Sequence, residues 1–146
     1  YCSGVTDVSA LAGCASLQEL NLSGTGVTDQ DMSALAGCES LHKLYLTGTG
    51  VTDQGLSALA GCKSLHTLAL SKCYGVTDLS ALAGCKSLHT LNLINCNQVT
   101  DVSSLAGCAS LHTLDLYGCS GVTDVSALDN NPNLTIISSK KPITIL

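Results

Sequence analysis

Histidine, a residue suited to both metal binding and proton transfer, recurs at a fixed place in the pattern of this chain. Each histidine directly follows a leucine that begins the string L-x-x-L-x-L; the four are His42, His66, His89 and His112. In neighbouring parallel strands these imidazoles would lie about 5 Å apart, near enough to share Zn²⁺ or Ni²⁺. Equivalent side chains point the same way, however, and no row of carboxylates accompanies them. The sequence therefore favours an exposed histidine ladder copied by duplication, with metal binding as the weaker alternative. Stacked like charges would lower the pKa values of the imidazoles, so the ladder would act as a weak pH sensor.

Nine cysteines also fall into columns. One column holds Cys14, Cys38, Cys62, Cys85 and Cys108, and a second holds Cys2, Cys73, Cys96 and Cys119. Equivalent residues of parallel strands lie about 4.8 Å apart, but their Cβ vectors run side by side instead of facing each other, which disfavours disulfides. An odd total with one cysteine per position favours small buried side chains. Free thiols in turn predict an intracellular, cytoplasmic location.

Aspartate recurs within the string V-T-D, at Asp7, Asp29, Asp53, Asp78, Asp101 and Asp124. One carboxylate per unit, without neighbouring oxygen ligands, makes a poor Ca²⁺ site, so we expect these side chains to cap the turns that follow them. No nucleophile, general base and orienting group converge in the pattern. The sequence therefore predicts a protein that is not an enzyme and that needs no cofactor.

These residues are positioned by an internal repeat. The V-T-D strings begin 22, 24, 25, 23 and 23 residues apart, and five units carry L-x-x-L-x-L: Leu17 to Leu22, Leu41 to Leu46, Leu65 to Leu70, Leu88 to Leu93 and Leu111 to Leu116. The alternating leucines predict short strands whose second and third leucines point inward. The return V-T-D-x-S-A-L-A-G-C predicts one helical turn ended by glycine, with a fuller turn where Gln30-Asp31 and Gln54-Gly55 lengthen it. A period in the twenties with this motif is the signature of leucine-rich repeats. The predicted fold is an α/β solenoid, a right-handed coil with a parallel concave β-sheet and short helical or 3₁₀ turns on its convex side.

We expect one domain over residues 1–146, with about five full repeats, a partial repeat at 1–14 and a degenerate last repeat or cap at 129–146. The last strand is expected from Leu134 to Ser139, with Lys140-Lys141-Pro142 breaking it and Ile143 to Leu146 folding back as a cap or continuing the chain. Tyr1 to Val5 matches the middle of a unit, so we expect a fragment of a longer protein, or self-association through an uncapped N-terminal end.

The string C-x-x-L-x-x-L-x-L-x-x-C-x-x-V-T-D, complete from Cys62 to Asp78, Cys85 to Asp101 and Cys108 to Asp124, resembles the cysteine-containing class of leucine-rich repeats. That class includes the recognition regions of F-box proteins and long repeat proteins of protists. The short V-T-D-V-S-A-L returns look more like those of bacterial internalins. There is no F-box segment, so the resemblance implies a concave face that binds a protein or peptide and implies no ubiquitin-ligase role.

Positions five and seven of the strand motif differ between units whose returns are almost identical, as expected of a binding face, and position three faces the same concave wall. The partner-binding residues predicted there are Glu19, Asn21, Lys43, Tyr45, Thr67, Asn92, Ile94, Thr113, Asp115 and Tyr117. A net charge of −5 with six lysines and no arginine argues against nucleic acid, and no run of about 18 apolar residues predicts a membrane span. Two alternatives stay open: a structural segment of a longer solenoid, and a consensus-like designed scaffold.

Overall fold

A computed structural model describes residues 4–139, which form a coil with one parallel sheet along its concave side. Each turn of the coil contributes one three-residue strand. The six strands are β1 (Glu19–Asn21), β2 (Lys43–Tyr45), β3 (Thr67–Ala69), β4 (Thr90–Asn92), β5 (Thr113–Asp115) and β6 (Thr135–Ile137), and they pair in the order of the chain. The expected parallel sheet is confirmed, with strands shorter than the full leucine motif.

The strands form because leucines alternate with polar residues, and the sheet buries the leucines. Leu44, Leu68, Leu91 and Leu114 occupy one register row, are fully buried and point into the coil. The leucine two residues beyond each of them is also buried. The side chains on either side of each inward leucine are exposed or half-buried. This alternation leaves one face of the sheet on the core and the other face open to solvent.

The returns are short helical turns, as the sequence predicts. Five-residue 3₁₀ turns span Ser33–Gly37, Ser57–Gly61, Ser80–Gly84 and Ser103–Gly107, and three-residue turns span Ser9–Leu11 and Ser126–Leu128. The two longer returns add the four-residue helices α1 (Asp29–Met32) and α2 (Asp53–Leu56), so the expected fuller turns are confirmed. Each return after the first buries one leucine or more, and Leu11 of the first return is half-buried.

The expectation that every V-T-D aspartate caps its own return is wrong for the two helices. Thr28 and Thr52 occupy the N-cap positions of α1 and α2. The Asp29 carboxylate instead reaches the next repeat, where it accepts hydrogen bonds from the Thr52 amide at 2.7 Å, the Thr52 hydroxyl at 2.6 Å and the Gly55 amide at 3.0 Å. Each helix begins at its V-T-D aspartate, Asp29 or Asp53, one residue after the N-cap threonine. The carboxylate is therefore directed toward the next repeat. In the shorter returns the expectation holds, because the aspartates at 7, 78, 101 and 124 each accept from the serine amide two residues on.

Both cysteine columns are buried and reduced along the described residues, apart from Cys14, which is half-buried. Each buried thiol donates to a carbonyl of the preceding repeat, for example Cys96 Sγ to Leu70 O at 3.0 Å and Cys108 Sγ to Leu82 O at 3.1 Å. Where threonine replaces the second cysteine, the Thr25 hydroxyl bonds the Leu22 carbonyl of its own repeat at 2.6 Å. The small side chains thus fill a repeating niche and satisfy loop carbonyls.

The last strand is confirmed but is shorter than expected, since β6 ends at Ile137. Asn131 stands where earlier repeats have cysteine, and its side-chain amide donates to the Leu111 carbonyl at 2.6 Å. The expectations for Cys2, for the residues before Gly4 that open the partial repeat, and for a break and cap at 140–146 lie outside the described residues.

Candidate partner-binding face

The open face of the sheet gathers all ten residues predicted to bind a partner. Position three forms a row across the strands: Glu19, Lys43, Thr67, Thr90, Thr113 and Thr135. Position five forms a second row: Asn21, Tyr45, Ala69, Asn92, Asp115 and Ile137. Ile94 and Tyr117 lie just beyond the ends of their strands. The coil therefore brings into one surface residues that are as many as 98 positions apart in the chain, from Glu19 to Tyr117.

Three of the predicted binding residues also have a structural role within their own repeat. Asn21 Oδ1 accepts from the Ser23 amide at 3.0 Å, Asn92 Oδ1 from the Ile94 amide at 3.0 Å, and Asp115 Oδ1 from the Tyr117 amide at 2.9 Å. An Asn or Asp side chain bonded to the amide two residues on fixes the turn that ends the strand. One oxygen of each group is therefore occupied, and the remaining polar atoms are the ones that can meet a partner.

The C-terminal end of this face is apolar and exposed. The side chain of Tyr117 is 55% exposed and that of Ile137 is 44% exposed. Ile137 pairs with Asp115 in the strand register, and Tyr117 is two residues beyond Asp115 on the same face. Sequence reasoning missed Ile137. Counting the leucine motif from Leu134 would turn Ile137 inward, whereas the register places Ile136 opposite the inward Leu114 and turns Ile137 outward. A shift of one residue exchanges the two faces of a strand.

The N-terminal end of the face is charged instead. Lys43 Nζ lies 3.2 Å from Glu19 Oε2, and both side chains are largely exposed. An exposed pair of this kind contributes at most about 1 kcal/mol to stability. Its main effect is to offer a partner one cation and one anion side by side. The face thus changes from an ion pair at β1 and β2, through a row of threonines, to the exposed apolar side chains of Tyr117 and Ile137 around Asp115 at β5 and β6.

The histidine ladder lies where the strands begin, at one edge of the sheet. Successive ring centroids are 5.2, 4.7 and 4.2 Å apart, and the planes are within 12° of parallel. The predicted ladder and its spacing are confirmed. Burial lowers the pKa of His66 from its ordinary value, and charges on His89, His42, Lys43 and His112 lower it further. His112 Nδ1 lies 2.9 Å from the Ser110 carbonyl, so that nitrogen carries the proton and donates to the carbonyl oxygen.

The ladder does not form a metal centre of three or more ligands. Across residues 4–139, no group of three His, Cys, Asp or Glu side chains converges in a way that could hold a metal ion. The four rings lie in a stack of nearly parallel planes. A shallow depression of about 540 Å³ lies beside the ladder and is lined by Gln18, Glu19, Ser40, His42, Lys43, Ser64 and Ser87.

Comparison with family models identifies the repeat. A two-copy leucine-rich-repeat model matches residues 63–107 and 86–130, and a single leucine-rich-repeat model matches residues 13–36 and 37–60. The chain belongs to the leucine-rich-repeat proteins. Its assignment to the cysteine-containing class stays a prediction from the motif. Among curated proteins, no sequence matches this leucine-rich-repeat chain.

Solved structures with the same coil include several bacterial leucine-rich-repeat proteins. Internalin C2 from Listeria monocytogenes is 33% identical, with a TM-score of 0.80 over 92% of this chain and 57% of its own. A leucine-rich-repeat protein from Leptospira interrogans is 19% identical, with a TM-score of 0.70 over 93% of this chain and 35% of its own. The chain thus spans little more than half the length of the internalin that it matches, and the second likeness shows the fold alone.

A plant structure extends the same comparison. The ectodomain of the receptor kinase GASSHO1/SCHENGEN3 from Arabidopsis thaliana, solved in complex with Casparian strip integrity factor 2, is 18% identical. Its TM-score is 0.66, over 92% of this chain and 17% of the receptor chain. This likeness also shows the fold alone.

In the part of the chain that the structure describes, no helix is both long and apolar enough to cross a membrane.

Proposed function

We propose that the concave face binds a protein or peptide partner, with its strongest contacts at the C-terminal end. Membership of the leucine-rich-repeat proteins supports a protein-interaction module. The observation that carries the choice of face is the contrast between a uniform interior and a varied exterior. Inward positions are leucine in strand after strand, whereas the outward position five holds Asn21, Tyr45, Ala69, Asn92 and Asp115 in turn.

The exposed pair Tyr117 and Ile137 supplies the apolar anchor of the proposed site. Binding energy in interfaces concentrates on a few large side chains near the centre of the contact, and tyrosine is enriched among them. Tyr117 and Ile137 are large, exposed and adjacent to the polar Asp115. A partner that places an apolar group here can pass its backbone along the threonine row toward the Lys43–Glu19 pair. The proposal assigns the chain a binding role without catalysis.

Face-specific photo-crosslinking tests this proposal. A photoreactive phenylalanine analogue replaces Tyr45 or Tyr117 on the concave face, and Tyr74 in the control. Tyr74 is a matched control because it is 60% exposed and lies in a loop five residues beyond the end of β3, outside the strands of the sheet. We expect the two concave probes to capture the same protein from cell extract and the Tyr74 probe not to capture it. If the Tyr74 probe captured a protein from the extract and neither concave probe captured it, the proposal would be overturned.

An intracellular location is a second, separate proposal. It is supported by the free state of the eight described cysteines and by the burial of seven of them. Oxidising compartments convert suitably placed thiols into disulfides, whereas reducing compartments leave them free. Thiol counting on protein recovered from its native source, alkylated at the moment of lysis, tests this location; a large disulfide fraction would contradict it.

A further inference from the structure

Charge is segregated between the two edges of the sheet. The edge where the strands begin carries the histidine strip, which we define as the four stacked histidines with Lys43, Lys63 and Lys86. The side beyond the carboxyl ends of the strands carries the aspartate row, defined as the exposed Asp78, Asp101 and Asp124. The strip therefore becomes strongly positive when its imidazoles are protonated, while the row stays negative.

The carboxylates of the aspartate row are held by hydrogen bonds from the backbone. Asp78, Asp101 and Asp124 each accept a hydrogen bond at 2.8 Å from the backbone amide of the serine two residues on. Those bonds hold the pKa values of the Asp101 and Asp124 carboxyl groups below their ordinary value. Carboxylates fixed by the backbone in this way need no rearrangement to meet a cation. The serine hydroxyls bond to the same carboxylates, for example Ser80 Oγ to Asp78 Oδ2 at 2.9 Å, and all three aspartates are exposed.

The two sets also share one sequence period. His66, His89 and His112 are 23 residues apart, and so are Asp78, Asp101 and Asp124, because both sets come from the same turns of the coil. Earlier returns are held at strand spacing by the isolated parallel bridges Thr28–Gly50 and Thr52–Gly75. A row of carboxylates on a second copy can therefore align one-to-one with the ladder, which an unrelated acidic peptide has no reason to do.

We propose that the histidine strip of one molecule docks against the aspartate row of a second copy, side by side, when the imidazoles are protonated. Neutral imidazoles tolerate stacking at 4.2–5.2 Å, whereas imidazolium ions at that spacing repel one another. A facing carboxylate row removes this repulsion. The contact joins two different surfaces, so each molecule keeps one free strip and one free row, and the assembly is open-ended.

The other charged groups near the strip modify this contact without reversing it. Lys43 adds positive charge but is paired with Glu19, and Lys63 and Lys86 lie exposed in the turns that precede β3 and β4. Glu39, in the turn before β2, adds one negative charge at the end of the strip. Protonation of the four histidines outweighs these two carboxylates. Docking therefore takes up protons and strengthens as the pH falls through the imidazole range.

Sedimentation velocity of the whole chain tests the proposal. At about pH 6 and low salt we expect species larger than the monomer that grow with concentration. The same chain should be monomeric at about pH 8, or at about 0.5 M salt, where screening shortens the reach of exposed charges. These conditions stay above the isoelectric point of about 5.0. A monomer at pH 6 and low salt would overturn the proposal.

Two double variants then separate docking from loss of solubility. H66Q/H89Q removes the centre of the strip, and D101N/D124N removes most of the row while keeping the oxygen that accepts from each serine amide. Each variant alone should be monomeric at pH 6, but an equal mixture should form a discrete heterodimer, because each supplies the surface that the other lacks. The control D31N/D129N changes the same number of charges outside the row, the strip and the concave face, and should still assemble.

Specific docking and nonspecific aggregation predict different results for these variants. Aggregation near the isoelectric point would be increased by both aspartate double variants, since each reduces the negative charge of an acidic protein. Failure of the mixture to form heterodimers, or loss of assembly in D31N/D129N, would overturn the proposed contact. Apart from Lys43, the contact uses no residue of the concave face, and the proposed anchors Tyr117 and Ile137 lie outside it, so its failure leaves the proposed function unaffected.

Discussion

The imidazole rings of His89 and His112 stack with their centroids 4.2 Å apart and their planes 6° from parallel. They are the tightest pair of a ladder in which His66 has its pKa lowered, first by burial and then by its charged neighbours. A lowered pKa in the folded state means that the unfolded chain binds protons first as the pH falls. This contribution to stability is therefore intact above the ordinary value of 6.5 and is lost as the pH falls below it.

We accordingly predict that H66Q reduces the pH dependence of stability. Urea unfolding at about pH 7.5 and about pH 5.5 gives the difference in the free energy of unfolding for each protein. The wild type should lose more stability than the variant between the two values, because only the wild type protonates this imidazole. Identical losses in the two proteins would show that protonation of His66 does not strain the ladder.

The buried thiols should be unreactive until the chain unfolds. Burial, together with the neighbouring cysteines, raises the pKa of Cys62 to about 11 and that of Cys108 to about 11, so little reactive thiolate exists at neutral pH. A thiol reagent should label half-buried Cys14 quickly in the native protein and the seven buried cysteines of residues 4–139 only on denaturation. In denaturant without reductant, the total should reach the nine cysteines of the sequence. A total near one would mean that disulfides had formed.

The Asp29 carboxylate should stabilise the coil by linking two repeats. It accepts three hydrogen bonds from Thr52 and Gly55. A hydrogen bond to a charged group contributes about 1.5–3 kcal/mol to stability. We predict that D29A lowers the free energy of unfolding by about 2–3 kcal/mol, because it leaves two amides and a hydroxyl without their acceptor. Chemical denaturation measures the change, with the exposed D129A as the control. Equal, small effects of the two substitutions would contradict the linking role.

Lys72 occupies a left-handed backbone conformation that favours glycine. Its φ is 59°, while Gly24, Gly48 and Gly118 occupy the equivalent position in other repeats with φ between 69° and 78°. The strain on a non-glycine residue there costs about 1–2 kcal/mol, partly offset by the greater freedom of glycine in the unfolded chain. We predict that K72G raises stability by up to about 1 kcal/mol in urea titrations. A clear loss of stability would show that the lysine side chain compensates for its backbone.

The repeat made the coil predictable from sequence, while details that depend on packing between repeats were not. The alternation of leucines specified which face of each strand is buried, and the fixed columns of cysteine and histidine specified which residues stack. The role of Asp29 was hidden because its partners, Thr52 and Gly55, lie in the next repeat. The position of Ile137 was hidden because Asn131 replaces cysteine before β6 and the register follows pairing with β5, not the leucine count.

The side-chain oxygens of Asn21 and Asn92 show a further limit of the pattern. Their variation between units marks them as surface residues, but their bonds to the amides of Ser23 and Ile94 follow from local turn geometry. The signal was present in the sequence, since Asn or Asp two residues before a turn amide commonly accepts from it. Variation alone cannot separate a residue that ends a strand from one that meets a partner.

The most direct measurement is the affinity of the crosslinked partner for Y117A/I137A, compared with Y74A. All three residues are exposed, so the truncations leave the core intact, and circular dichroism checks the fold. We predict that the concave double variant binds about ten-fold more weakly or worse, the loss expected when an anchor of at least about 1.4 kcal/mol is removed, while Y74A binds like the wild type. Unchanged affinity in Y117A/I137A together with weakened binding in Y74A would contradict a concave binding face.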